Sequence, residues 1–265
     1  MFRESLPEGR YDPLIADGVR WRDYERAADS AQRAVPGDHD WFDLPHRPPR
    51  LTECRPYDVK GGLARPDPQS EADLTRAVPE GARFADPRGT WVRLVNGMGP
   101  AADPFRASNA ADCALAVLST WHGEPVVAAP RQPEYDAVGR PLLTGESGGT
   151  ARMERWIGRR LEHVGQGRHA YPLIARRLAE AGHGAAALIV VRWPGGGSHA
   201  WNAVNSEGEV IWIDGQRGHM AVEPPYERVA GVFCAVVDRR GSRGEPGPGA
   251  RGRGGVLQRR HKGAG

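Results

Sequence analysis

Three side chains in this 265-residue chain have the types and the order that cysteine-based chemistry requires: Cys113, His199 and Asp214. A thiol becomes a useful nucleophile once it ionises, and the N-terminus of a helix favours the thiolate through its unpaired N–H groups and its dipole. Cys113 opens an apolar helical run. His199 follows a Pro-Gly-Gly-Gly turn and heads a strand pattern, where an imidazole serves as a base and glycines let a substrate approach the backbone. Asp214 lies fifteen positions further on. A turn centred near position 206 or 207 would set it opposite His199 across an antiparallel hairpin, as the acceptor that orients the ring. Gln216, two residues on, faces the same way and offers a polar contact. Each residue also has an ordinary reading: a packed thiol, a loop histidine, a turn aspartate. Only the combination lifts them above it.

The elements that must hold these residues are legible in part. Residues 1–83 are broken by prolines and read as a loosely ordered leader, with a helical piece near 20–33 and the aromatic anchors Trp21, Tyr24, Trp41 and Phe42. A folded domain is expected over 84–238. Its first element is a short strand at Thr90–Asn96. A helix follows over Ala110–Trp121, with Ala114, Val117, Leu118 and Trp121 as its buried stripe and Ser108 or Asn109 as its cap. A Pro- and Gly-rich connection covers 124–149. Two further helices are expected at about 151–164 and from Tyr171 to Gly182. Strands are expected at Ala186–Trp193, Ser198–Asn205, Glu209–Asp214 and Arg228–Val237. Helices followed by an antiparallel sheet are an α+β order.

Composition narrows the function classes. Gly 35 and Pro 23, with a mean hydropathy of −0.56, predict that part of the chain is unstructured. No apolar run is long enough for a membrane span, and the N-terminus lacks the apolar core of a signal peptide, so export would need a specialised route or a fusion partner. The net charge of +3 is unevenly placed. From Arg239 onward seven Arg and one Lys face one Glu, and removing that surplus leaves about −4 for the rest. The basic tail, 239–265, reads as solvated and disordered rather than as a nucleic-acid arm. The three cysteines, Cys54, Cys113 and Cys234, fit neither a disulfide framework nor a zinc site, and no metal or organic cofactor is expected.

SHAWNAV, then VIWIDGQ, with an upstream DCALAV helix, resembles the papain-fold toxin domains described as glutamine deamidases, found in bacterial polymorphic toxins and effectors. The resemblance spans about 84–238. It implies a papain-like fold, a cytoplasmic bacterial origin with delivery out of the cell, a protein substrate carrying a target glutamine, and a cognate immunity protein. It also implies a Cys-His-Asp triad that forms a thioester on the glutamine amide, releases ammonia and is hydrolysed to glutamate. By position His199 matches the base, Asp214 the orienting acid and Gln216 the glutamine of the D-x-Q element. Relatives often read Asn-Cys-x-x-Cys at the helix start, whereas this chain reads Asn109-Ala110-Ala111-Asp112-Cys113. If the second cysteine is the nucleophile, Cys113 is intact. If the first is, Ala110 marks a lost one. Cys113 is the reading adopted from the sequence, with Asn109 or the Cys113 N–H as oxyanion donor. The same thioester chemistry also serves a cysteine peptidase or a transglutaminase, and an inactive papain-like binding domain is the alternative from another class.

Overall fold

The computed structural model describes residues 40–242, together with the two-residue strands β1 (Leu14–Ile15) and β2 (Val19–Arg20), which pair antiparallel. The remaining residues, including the expected helix near 20–33, Trp21, Tyr24 and most of the basic tail, lie outside the described set. The architecture is α+β: a six-stranded antiparallel sheet with helices on both faces. The strands are β3 (Glu162–Gly165), β4 (Ala186–Arg192), β5 (Ser198–Ser206), β6 (Glu209–Asp214), β7 (His219–Ala221) and β8 (Gly231–Val237), in the spatial order β3-β8-β4-β5-β6-β7. Helix α1 is Pro68–Ala77, α2 Trp91–Leu94, α3 Ala110–Trp121, α4 Gly149–Trp156 and α5 Tyr171–Ala181.

Central strand β4 reads AALIVVR and is covered on both sides, which is why its apolar run is continuous rather than alternating. Ala186, Leu188 and Val190 face α3 and the N-terminal layer, while Ala187, Ile189 and Val191 face Ile174 and Leu178 of α5. Helix α3 is sandwiched between the sheet and the N-terminal segment, and every residue from Asp112 to Trp121 is buried. The stripe anticipated from spacing is therefore too narrow. A helix wrapped on all sides shows a weak stripe because it has no polar face to contrast with.

Several expectations need correction. Trp91, Val92 and Val95 are buried from a helical turn, not a strand, since apolar residues at i, i+1 and i+4 fit one helix face. The second helix stops at Trp156 just before Gly158, which takes φ +69°, and the residues after it form β3. The β5–β6 hairpin turns on two residues, Glu207 and Gly208, both with positive φ, as a tight I′-type connection requires. Its ladder pairs Ser206 with Glu209 and Asn202 with Ile213. Extended, that register sets Asp214 across from Trp201, two residues from His199, so the two side chains are diagonal rather than directly opposed.

Part of the expected leader is structural. Trp41 and Phe42 lie in the main core beside Trp156. Phe42 stacks on His122 at 5.1 Å, and the Asp40 carboxylate accepts from His122 Nδ1 at 2.9 Å. The chain beyond Asp238 also returns to this corner, where the Trp41 N–H donates to the Arg239 carbonyl at 2.7 Å. Trp41→Ala should therefore destabilise the fold by about 3–5 kcal/mol in urea unfolding, the range for emptying a buried aromatic site. A change below about 1 kcal/mol would restore the reading of residues 40–83 as a loosely attached leader.

Candidate active site

The site is assembled where the N-terminus of α3 meets the start of β5. Two glycines with positive φ, Gly196 and Gly197, close the turn after Trp193, and β5 then pairs Ser198 with Arg192 and His199 with Val191. His199 Nε2 donates to Asp214 Oδ2 at 2.9 Å. That bond assigns the proton to Nε2 and leaves Nδ1 with a free lone pair. Asp214 Oδ1 accepts from the N–H groups of Gln216 at 3.1 Å and Arg217 at 3.2 Å, and the Tyr226 hydroxyl donates to Oδ2. Burial pushes this carboxyl up, but the donors around it, His199 first, hold it below the usual carboxylate range. An aromatic wall backs the pair. The Tyr226 ring stands edge-on to His199 at 5.3 Å, and Trp193 lies parallel to it at 6.4 Å.

Three carboxamides extend the site toward α3. Asn109 Oδ1 accepts from Gln216 Nε2 at 3.1 Å, and Asn109 Nδ2 donates to Asn96 Oδ1 at 2.8 Å and to the Ala129 carbonyl at 3.0 Å. Asn96 Nδ2 in turn donates to the Gln216 carbonyl at 2.8 Å. Asn109 occupies the cap position of α3, yet its side chain caps nothing, so the N–H groups of the first turn keep no side-chain partner from it. Gly215 lets the loop after β6 close on the helix: a Cβ there would sit 2.7 Å from Val117 Cγ2.

These elements enclose a cleft of about 200 Å³, lined by His199, Gln216, Ala110, Ala111, Leu143 and Glu146 among others. That volume is below the roughly 300–1,000 Å³ of drug-sized pockets and suits a single side chain. One chain of hydrogen bonds joins all five residues singled out from sequence, from His199 through Asp214, Gln216 and Asn109 to Cys113.

Cys113 is placed differently. It is fully buried one helical turn below Ala110, outside the cleft lining, and its Sγ donates to Asn109 Oδ1 at 3.3 Å. No hydrogen bond joins it to His199 among the described residues. Burial, then the fields of Asp112 and Asp214, push the thiol well above its ordinary value despite Arg106 and Arg55. Burial at this depth thus opposes the thiolate that a helix N-terminus favours. Ala110, not Cys113, lines the cleft together with His199.

Tyr226, Asn96, Trp193 and Glu146 were not singled out from sequence. Tyr226 follows a Pro-Pro pair in a segment without periodicity, and Asn96 sits in the stretch misread as a strand, so neither carried a local signal.

Two outcomes follow from this geometry. In the native protein iodoacetamide should label Cys54, which is partly exposed, before Cys113, whose labelling should require unfolding. Peptide mapping that found Cys113 modified first, below pH 8, would contradict its burial. Because the folded value of Asp214 is depressed, its ionised form stabilises the protein above the unfolded carboxyl value of about 3.9. That contribution is lost as pH falls through the lower folded value. The stability gap between the natural chain and Asp214→Asn, read by urea unfolding at a series of pH values, should be constant above about pH 5 and close at lower pH.

Among the described residues no helix is long and apolar enough to cross a membrane, and no group of three or more His, Cys, Asp or Glu side chains is placed to hold a metal ion. No curated protein and no solved structure gives a significant match to the chain. Residues 108–219, which hold α3, the β5–β6 hairpin, His199, Asp214 and Gln216, match the family model of papain fold toxin 1, glutamine deamidase, so this stretch, under half of the chain, is similar to the papain-fold toxin domains of the glutamine deamidase type.

Proposed function

We propose that the cleft receives the side-chain carboxamide of a glutamine on a target protein, and that residue 110 is the nucleophile's place within it. The observation that carries this reading is the common lining of Ala110, His199 and Gln216, with His199 fixed by Asp214 at 2.9 Å. A thiol at position 110 would give its proton to His199 Nδ1 and attack the amide carbon. The oxyanion would meet the open N–H groups of the α3 first turn and the Gln216 amide. Collapse would expel ammonia, protonated by the imidazolium, and leave a thioester. Water, deprotonated by the same imidazole, would then release glutamate and restore the thiol. Alanine supplies no sulfur, so the domain as it stands is read as a glutamine-binding deamidase-type site with its covalent step removed.

A second reading keeps Cys113 as the nucleophile of a Cys113-His199-Asp214 triad. Its support is the Cys113–Asn109 hydrogen bond, which holds the sulfur on the side of α3 that carries Ala110, one turn beneath. It requires the thiol to leave a fully buried niche. In either reading a cysteine peptidase or transglutaminase would share the thioester and differ in the group attacked or the acceptor. Delivery from a bacterial cell and an immunity protein that occludes the cleft belong to the same proposal.

The test is ammonia release and the glutamine-to-glutamate mass change on blocked glutamine peptides, with the natural chain, Ala110→Cys, Cys113→Ala and the double variant. The natural chain should be near background, Ala110→Cys should gain about a thousandfold, and the gain should survive Cys113→Ala but not His199→Ala. Turnover by the natural chain that disappears with Cys113→Ala would reverse the assignment in favour of the second reading.

A further inference from the structure

Large exposed apolar side chains are few among the described residues, and they cluster. Of the seven, Tyr135, Val138, Leu142 and Leu143 fall within nine consecutive positions, at 59%, 71%, 40% and 49% exposure. Scattered surface leucines need no explanation, but a contiguous patch beside a cleft does. This segment reaches the site through Leu143, Gly145 and Glu146, which line the cleft.

The patch is carried on a braced hairpin. Tyr135 and Pro141 form an antiparallel bridge, the Leu142 N–H donates to the Glu134 carbonyl at 2.8 Å, and the Asp136 carboxylate accepts from the Val138 and Arg140 N–H groups at 2.9 Å each. Its base is fastened at both ends. Glu134 accepts from the Gly61 N–H at 2.6 Å, the Ser147 N–H donates to the Gly61 carbonyl at 3.0 Å, and Arg131 Nε donates to the Thr144 carbonyl at 3.0 Å. Both Glu146 oxygens accept from Arg152 at 2.6 Å. The apolar tip is thus held out in water by a scaffold that keeps it from folding back onto the core.

Resting on the reading of the cleft as a glutamine site, we infer that this 131–147 hairpin is a substrate-reading lip. Its occupant is the stretch of the target protein beside the glutamine, bearing apolar side chains that cover Val138 and Leu142 while the glutamine enters the cleft. The cleft has room for one side chain, so it cannot by itself select one glutamine among many, and the adjoining apolar surface is the part of the molecule able to do so. Reading the neighbours by an apolar contact adds selectivity without touching the amide-handling residues.

The experiment uses the full chain and three blocked heptapeptides: leucine on each side of a central glutamine, serine in the same places, and the leucine peptide with glutamate in place of glutamine. Binding is read by calorimetry with the natural chain and with Val138→Ser/Leu142→Ser, whose exposed positions leave the core untouched. The leucine peptide should bind about tenfold tighter than the serine peptide, and the double variant should erase that ratio. Equal binding of the two glutamine peptides, a ratio that survives the variant, or no binding of the leucine peptide at about 1 mM would overturn the lip. If the leucine preference is lost in the variant but glutamate binds as well as glutamine, the lip stands and the glutamine reading of the cleft fails.

Discussion

A single buried carboxylate holds the cleft end of this molecule together. Asp112, in the first turn of α3, receives Arg55 Nη2 and Arg152 Nη2 at 2.8 Å and the Ala129 N–H at 2.7 Å. Burial alone would raise its pKa, but the two guanidinium groups outweigh that and keep it ionised. Through it the start of α3 is joined to the arm at Arg55, to the 127–129 strand-like stretch and to α4. Through Arg152 the same tie reaches Glu146 in the cleft lining. Such a cluster is weak testimony for extra stability over an apolar core of the same shape. Removing one member is another matter, because it strands the remaining charges at a cost of about 3–5 kcal/mol. The start of α3, α4 and the Glu146 side of the cleft therefore form one cooperative object.

The same charge also bears on the thiol beside it. Cys113 is adjacent to Asp112 and within the field of Asp214, and both carboxylates oppose a thiolate there. Residue 110 is about 4.5 Å higher along the axis, at the mouth of the helix, where the N–H groups are open and where it lines the cleft together with His199. Asn109 separates the two environments. Its one carbonyl oxygen accepts from both Gln216 and Cys113, and so faces the cleft amide and the buried sulfur together.

How much of this could be read beforehand depends on whether the signal is local. The bounds of α3 and the start of α5 at Tyr171-Pro172 were legible because caps, prolines and apolar spacing act over a few residues. The strands β4 to β6 were legible for the same reason. The hairpin register was missed by two because it turns on the positive φ of Glu207 as well as Gly208, and a glutamate there carries no obvious turn signature. Arg55 and Arg152 carry no local signal of their role, since nothing in the chain reveals that each is aimed at Asp112 from a different segment. Burial, the property that decides the fate of Cys113, is a tertiary fact that its helical position could not convey.

If position 110 is the place of a lost nucleophile, as proposed, the packing gives the His199–Asp214 pair a reason to outlast it. Asp214 is held by four donors, among them two backbone N–H groups of the loop that closes on Val117, so its carboxylate shapes the turn after β6 whether or not any substrate is attacked. His199 is packed against Tyr226 and Trp193 and satisfies one of Asp214's oxygens. Both residues therefore have structural reasons to remain. Position 110 has none. It is the first residue of a helix, half-buried, with no hydrogen bond to lose, and alanine is the best helix former. On that reading a sulfur at 110 is lost with no cost to the fold, whereas Asp214 cannot be removed without releasing the loop after β6 that its carboxylate holds.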